Sequence, residues 1–174
     1  KKGEPGFQKN IQYNTASHGT HNLSFALSGA DENDDFYFGL ERFQTDGIST
    51  MIHNNEKDRY RNNSLVGNYG HRFSDKIKFV SNIRIAETYN QYDKEVDTAT
   101  SDHSEEVDAV QSSSNIGLVY KPNQKFTNTF TLANTYIKRV YAPTSSSGNP
   151  LKDNYKGSRY ALMYSGNYNF NLDN

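Results

Sequence analysis

"DRYRNNSLVGNYGHRFSDKIKFVSNIRIAETYNQYD" (residues 58–93) decides the fold, because it holds two long runs of alternating apolar and polar residues with only "FSDK" (73–76) between them. In the second run Ile77, Phe79, Ile83 and Ile85 alternate with Lys78, Asn82 and Arg84. Successive side chains of a strand point to opposite faces, so each run is a strand with one apolar and one wet face. Arms of about fifteen residues exceed the usual five or six, whereas about nine to eleven tilted residues cross a bilayer.

The same alternation recurs outward from this hairpin and predicts strands at roughly 7–16, 21–30, 35–45, 60–72, 76–92, 110–121, 126–141 and 158–171, with no convincing helical period. Leu23, Phe25 and Leu27 alternate with Asn22, Ser24 and Ser28; Phe36, Phe38 and Leu40 with Tyr37 and Glu41. Phe126, Phe130, Leu132 and Tyr136, then Tyr160, Leu162, Tyr164, Tyr168 and Phe170, repeat the pattern. The connections sort by length. "DENDD" (31–35), "FSDK" and "KPNQK" (121–125) are short and fall at one end, while 46–59, 93–109 and 142–157 are long, polar and fall at the other, beside the tight "SHGTH" (17–21). The chain therefore reads as all-β, an antiparallel up-and-down meander of about eight long strands, forming one segment over 1–174 of a transmembrane β-barrel. Phe7, Phe73, Tyr120 and Phe126 toward the short turns, and Tyr13, Tyr60, Tyr89, Tyr136 and Tyr160 toward the long loops, fit two interfacial girdles.

Composition narrows the functions. With 19 basic and 20 acidic residues the net charge of −1 gives no general attraction to nucleic acid. There is no cysteine, which excludes disulfides, zinc–thiolate sites and thiol catalysis. Hydrophobic content of 33% is low, yet 13 Tyr and 10 Phe set the chain apart from disordered sequences. No run is long enough for a transmembrane helix, and "KKGEPGFQKN" at the start has no apolar core of a signal peptide, so the chain reads as cut from something longer.

Three other readings stay open on the residues alone. A soluble β-sandwich also alternates, because one face packs on a partner sheet. A complete small barrel closed by eight strands, with a structural, adhesive or porin-like role, is long enough to exist. An outer-membrane enzyme would need a Ser/His or Asp/His constellation; Ser104 beside His103 would point to opposite faces if extended, so no enzyme is expected.

"KKGEPGFQKNIQYNTASHGTHNLSFALSG" at the opening, "RFQTDGIS" (42–49), "DRYRNNSLVGNYGHRFSD" (58–75) and "TYNQYD" (88–93) resemble, in order and spacing, the TonB-dependent outer-membrane receptors, most closely the cobalamin receptor branch. The resemblance implies that these are about the first eight strands of a 22-stranded barrel in the bacterial outer membrane. It further implies active uptake of a scarce ligand such as cobalamin or another metal chelate, with outer-membrane lipid, lipopolysaccharide, a plug domain and, through it, TonB as partners.

The loop at 93–109 carries Asp93, Glu95, Asp97, Asp102, Glu105, Glu106 and Asp108 against one lysine, and the neighbouring loop adds Asp46, Glu56 and Asp58. Calcium takes about six to eight oxygen ligands, which carboxylates from two adjacent loops can supply. In the cobalamin receptors these two loops bind calcium, and by position Glu56, Asp58, Asp93 and Glu105 match ligands, with Tyr92 beside Asp93 at the ligand loop. Ser49 stands where that pattern has an aspartate, with Asp46 three residues away. The alternative is an acidic, solvated outer loop. His18 and His21 read as turn residues, since zinc needs further ligands that the sequence does not place; His53, His71 and His103 have no partner at a spacing that indicates chemistry.

Overall fold

The computed structural model describes residues 6–48, 57–93, 104–143 and 152–170. They form one antiparallel sheet whose eight strands lie in chain order: β1 (Gly6–Ala16), β2 (Thr20–Ala30), β3 (Asp34–Thr45), β4 (Tyr60–Ser74), β5 (Ile77–Asp93), β6 (Ser104–Tyr120), β7 (Phe126–Pro143) and β8 (Asp153–Tyr168). The sheet is open, because β1 and β8 each pair with one neighbour and not with each other. The described strands form a single layer, with no second sheet among the described residues, and the eight strands do not close on themselves as a small barrel would.

The turns at the short rim are built from local side chains. Asp31 Oδ1 accepts the amides of Asn33 (2.9 Å) and Asp34 (2.7 Å), closing β2 onto β3. Asn123 Oδ1 does the same for Lys125 and Phe126, each at 3.0 Å, between β6 and β7. Between β4 and β5 the register shifts from Arg72 to Ser74, so Phe73 is the extra residue of a bulge and the turn shrinks to Asp75 and Lys76. At the opposite rim His18 (φ 60°) and Gly19 (φ 63°) are both left-handed, the geometry of a two-residue turn that matches strand twist, and the Thr20 amide donates to the Ser17 carbonyl at 3.3 Å.

Two strands begin earlier than the alternation predicts. β6 starts at Ser104 rather than near 110, and β8 at Asp153 rather than near 158. The connection expected over 93–109 is therefore 94–103, and Glu105, Glu106 and Asp108 belong to a strand. Charged residues are poor strand formers in isolation, but here the β5 ladder runs on opposite them, pairing Tyr92 with Glu105 and Gln91 with Glu106. Tyr136 and Tyr160, expected at the loop rim, consequently lie well inside β7 and β8; Tyr141 and Tyr155 stand at that rim, with ring centroids 5.6 Å apart.

Pairing fixes which residues share a face. The row Ile11, Phe25, Leu40, Leu65, Ile85 crosses five strands on one side of the sheet. The row Asn10, Ala26, Gly39, Val66, Arg84, Ser113, Thr135, Arg159 crosses the other side. Tyr60 falls on this polar side, with its ring near Phe43, and so is not part of an apolar-face girdle. Among the described residues no hydrophobic side chain is fully buried; Ile11 is 72% and Leu162 81% exposed, so no described segment forms a layer upon the apolar face.

The apolar band does not follow the hydrogen-bonded rows. Continued across the sheet, the row of Ile85 meets Ser112, Tyr136 and Ser158, while the aliphatic residues of the last strands, Ile116, Leu118, Phe130, Leu132 and Leu162, sit closer to the short turns. From β5 to β8 the band thus slips by roughly one residue per strand, which is what a plane cutting strands tilted by about 40° at about 4.8 Å spacing requires.

Gly19→Ala places a Cβ in left-handed backbone and only 2.8 Å from Asp46 Oδ2, so it is expected to lower the urea unfolding free energy of the full-length protein by about 1–2 kcal/mol. His18→Asn, a residue that tolerates that backbone, is expected to leave it unchanged within about 0.5 kcal/mol. Equal midpoints for the two variants would refute this turn geometry.

Candidate functional site

The long-loop rim gathers most of the residues with candidate chemistry. β3 ends at Thr45, whose hydroxyl donates to the His18 carbonyl (3.2 Å) and accepts from the Thr20 hydroxyl (2.9 Å), tying the first hairpin turn to the base of the first long loop. The loop base is narrow: Gly47 has φ 70°, and a Cβ there would overlap the Asp58 carbonyl oxygen. Lys57 and Asp46 form an exposed ion pair across it at 3.2 Å.

Beyond the last β4–β5 pair, Tyr60 with Asn90, the Gln91 amide donates to the Arg59 carbonyl at 2.9 Å. That bond extends the ladder and sets Asp58 level with Tyr92, which pairs with Glu105. Tyr92 donates its hydroxyl to Glu105 Oε2 at 2.7 Å. On the other face Tyr89 donates to Glu106 Oε1 at 2.7 Å and the Gln91 side-chain amide donates to the same oxygen at 3.1 Å. Each tyrosine is held protonated by this arrangement: the bond to Glu105, then desolvation, pushes Tyr92 up to about 12, and desolvation, then the bond to Glu106, pushes Tyr89 up to about 12.

Of the residues singled out from the sequence, the fold brings Asp58, just ahead of β4, level with Tyr92 on β5 and Glu105 on β6, and Asp93 ends β5 opposite Ser104. Glu56 lies outside the described residues. Among the described residues no group of three or more carboxylate or histidine side chains stands close enough to hold a metal ion. Asp58 and Glu105 fall short of the six to eight oxygens calcium takes, so they do not make a site by themselves.

One cluster escaped the sequence. Asp34, on the apolar face at the short-turn rim, accepts the Tyr69 hydroxyl (2.6 Å) and bonds His71 Nδ1 (2.8 Å), and the His71 ring packs edge-on to Phe73 at 4.6 Å. On the polar face Asp35 pairs with Lys78 at 2.6 Å. Both pairs link residues some forty positions apart through the register of β3, β4 and β5, and no local spacing announces them. The polar face also holds a recess of about 450 Å³ lined by Asn10, Ser24, Tyr37, Glu41 and Ser64. This is a hydrogen-bonding wall, and near it the buried Oδ1 atoms of Asn22 and Asn62 have no partner within the described chain.

The chain matches no family model, and no curated protein is significantly similar to it.

The rim tyrosines give a pH window. Folded pKa values raised from 10 to about 12 mean that the folded rim holds protons that the unfolded chain releases. Its contribution to stability is complete below pH 10 and lost as pH rises toward 12. Ultraviolet titration is expected to show a late phase of phenolate absorbance near pH 12 whose amplitude falls in the Y89F/Y92F double variant; an unchanged late phase in that variant would refute the assignment.

Proposed function

We propose that this chain is part of the wall of an outer-membrane β-barrel that works as a TonB-dependent uptake receptor for a scarce, bulky ligand such as cobalamin or another metal chelate. The observation that carries the membrane reading is the exposed apolar band opposite a face rich in Asn, Ser, Thr and Gly. Lipid covers such a band with no second protein layer, and its slip across the strands matches the tilt of barrel strands. The backbone supports the same reading: strands cross lipid only when every polar group is paired, and the open edges of β1 and β8 would then be met by further strands.

The receptor reading rests on the sequence resemblance. The polar face would surround the plug, the loop rim would capture the ligand, and energy would arrive through TonB; no reaction is catalysed. Calcium belongs to this reading, with Glu56, Asp58, Asp93 and Glu105 as ligands beside Tyr92 and further oxygens from the two acidic loops.

Cells lacking the full-length protein are expected to lose most TonB-dependent uptake of labelled cobalamin, and uptake equal to that of the parent strain would reject cobalamin as the ligand. In the purified full-length protein, calcium is expected to slow proteolysis within 46–59 and 93–109, and Asp58→Ala with Asp93→Ala to remove that protection; cleavage insensitive to calcium in the unsubstituted protein would sink the metal site.

A further inference from the structure

Just beyond the apolar band, on the same face and at the loop rim, lies an open groove of about 340 Å³ lined by Arg42, Gln44, Arg59, Arg61 and Tyr89, with Asp46 at its edge. Arg42 and Arg61 are diagonal neighbours on β3 and β4, since Arg42 pairs with Asn63 and Gln44 with Arg61. Each is held by a neutral group. Arg42 Nε and Nη2 donate to Gln44 Oε1 at 3.4 and 3.2 Å, and the Arg61 guanidinium lies over the Tyr89 ring, 5.6 Å from its centre. Among the described residues none of the three arginines forms an ion pair, and Asp46 is taken by Lys57. Glu106, the carboxylate bonded to Tyr89, is likewise occupied by Tyr89 and Gln91. Arg42 and Arg61 are therefore oriented, and Arg59 adds a third positive charge; Glu87 and Asp108 share this face but form no ion pair with the three arginines.

We infer that Arg42, Arg59 and Arg61 bind the phosphate group of a lipid headgroup. Guanidinium forks match phosphate oxygens bidentately, and two preset forks lose little freedom on binding. The height of the groove selects the source. The side chains below it on the same strands are Leu40 and Leu65, so a phosphate seated among the arginines has acyl chains alongside the apolar band, as a free phosphate would not. The inference rests on the membrane reading above, and supplies the specific lipid contact that reading lacks.

The test uses the full-length protein in detergent micelles, with mass spectrometry under native conditions counting retained phosphatidic acid, phosphatidylcholine or inorganic phosphate. Phosphatidic acid is expected to be retained about tenfold over phosphatidylcholine, and R42Q/R59Q/R61Q to abolish the preference while still retaining phosphatidylcholine, which shows that the variant is folded. Arg84→Gln, on the opposite face, is expected to keep it. Equal retention of both lipids by the unsubstituted protein overturns the site while leaving the membrane reading intact, and retention of neither overturns both. A preference that survives the triple variant also overturns the site. Inorganic phosphate bound as tightly as phosphatidic acid and lost in the triple variant overturns the lipid as the source.

Discussion

The backbone ladder holds this protein together, and the ladder alone cannot make it stable. Seven antiparallel pairings run almost without interruption from β1 to β8, with one register shift in the whole sheet. Yet no described apolar side chain is fully buried, so the described residues supply only part of the burial of apolar surface that dominates folding in water. Whatever covers the band from Ile11 through Leu40 and Ile85 to Leu132 and Leu162 supplies the rest of that term. In lipid the hydrocarbon does so, and in lipid the ladder is also worth most, because an unpaired amide or carbonyl has no water to turn to.

Several local features follow from that division of labour. Two carboxylates on the apolar face are met at its margins: Asp34 by Tyr69 and His71 at the short-turn rim, Glu106 by Tyr89 and Gln91 at the loop rim. The bulge at Phe73 and the Asx-closed turns at Asp31 and Asn123 end the strands abruptly at one side. At the other, β5 and β6 run on past the band as a paired stem, so Tyr92 and Glu105 stand clear of the apolar residues and meet each other rather than solvent alone.

Much of this was readable from the sequence. Period-two alternation located all eight strands, and rim-sorted connection lengths gave their up-and-down order, because both signals are local in the chain. The start of β6 was missed because Glu105, Glu106 and Asp108 look like loop residues until Tyr89, Gln91 and Tyr92 are placed opposite them. Tyr60 looked like a girdle residue by its position near a strand end, but its parity in β4 turns it to the polar side. The Asp34–His71 pair and the three-arginine groove depend on which strand lies beside which, and at what register. For Asp58, Tyr92 and Glu105 the sequence pointed to three residues in two separate loops; the fold brings them level by ordinary strand pairing, whatever they bind.

Spin labels read out the covering of the apolar face most directly. In the full-length protein reconstituted into phospholipid vesicles, labels at Phe79, Ile83 and Leu132 should collide with dissolved oxygen and be shielded from a water-soluble paramagnetic reagent, while labels at Asn82, Arg84 and Thr131 should show the reverse. Labels on both sets that respond alike to the water-soluble reagent would mean that lipid does not cover this face, and the membrane origin of the protein's stability would have to be abandoned.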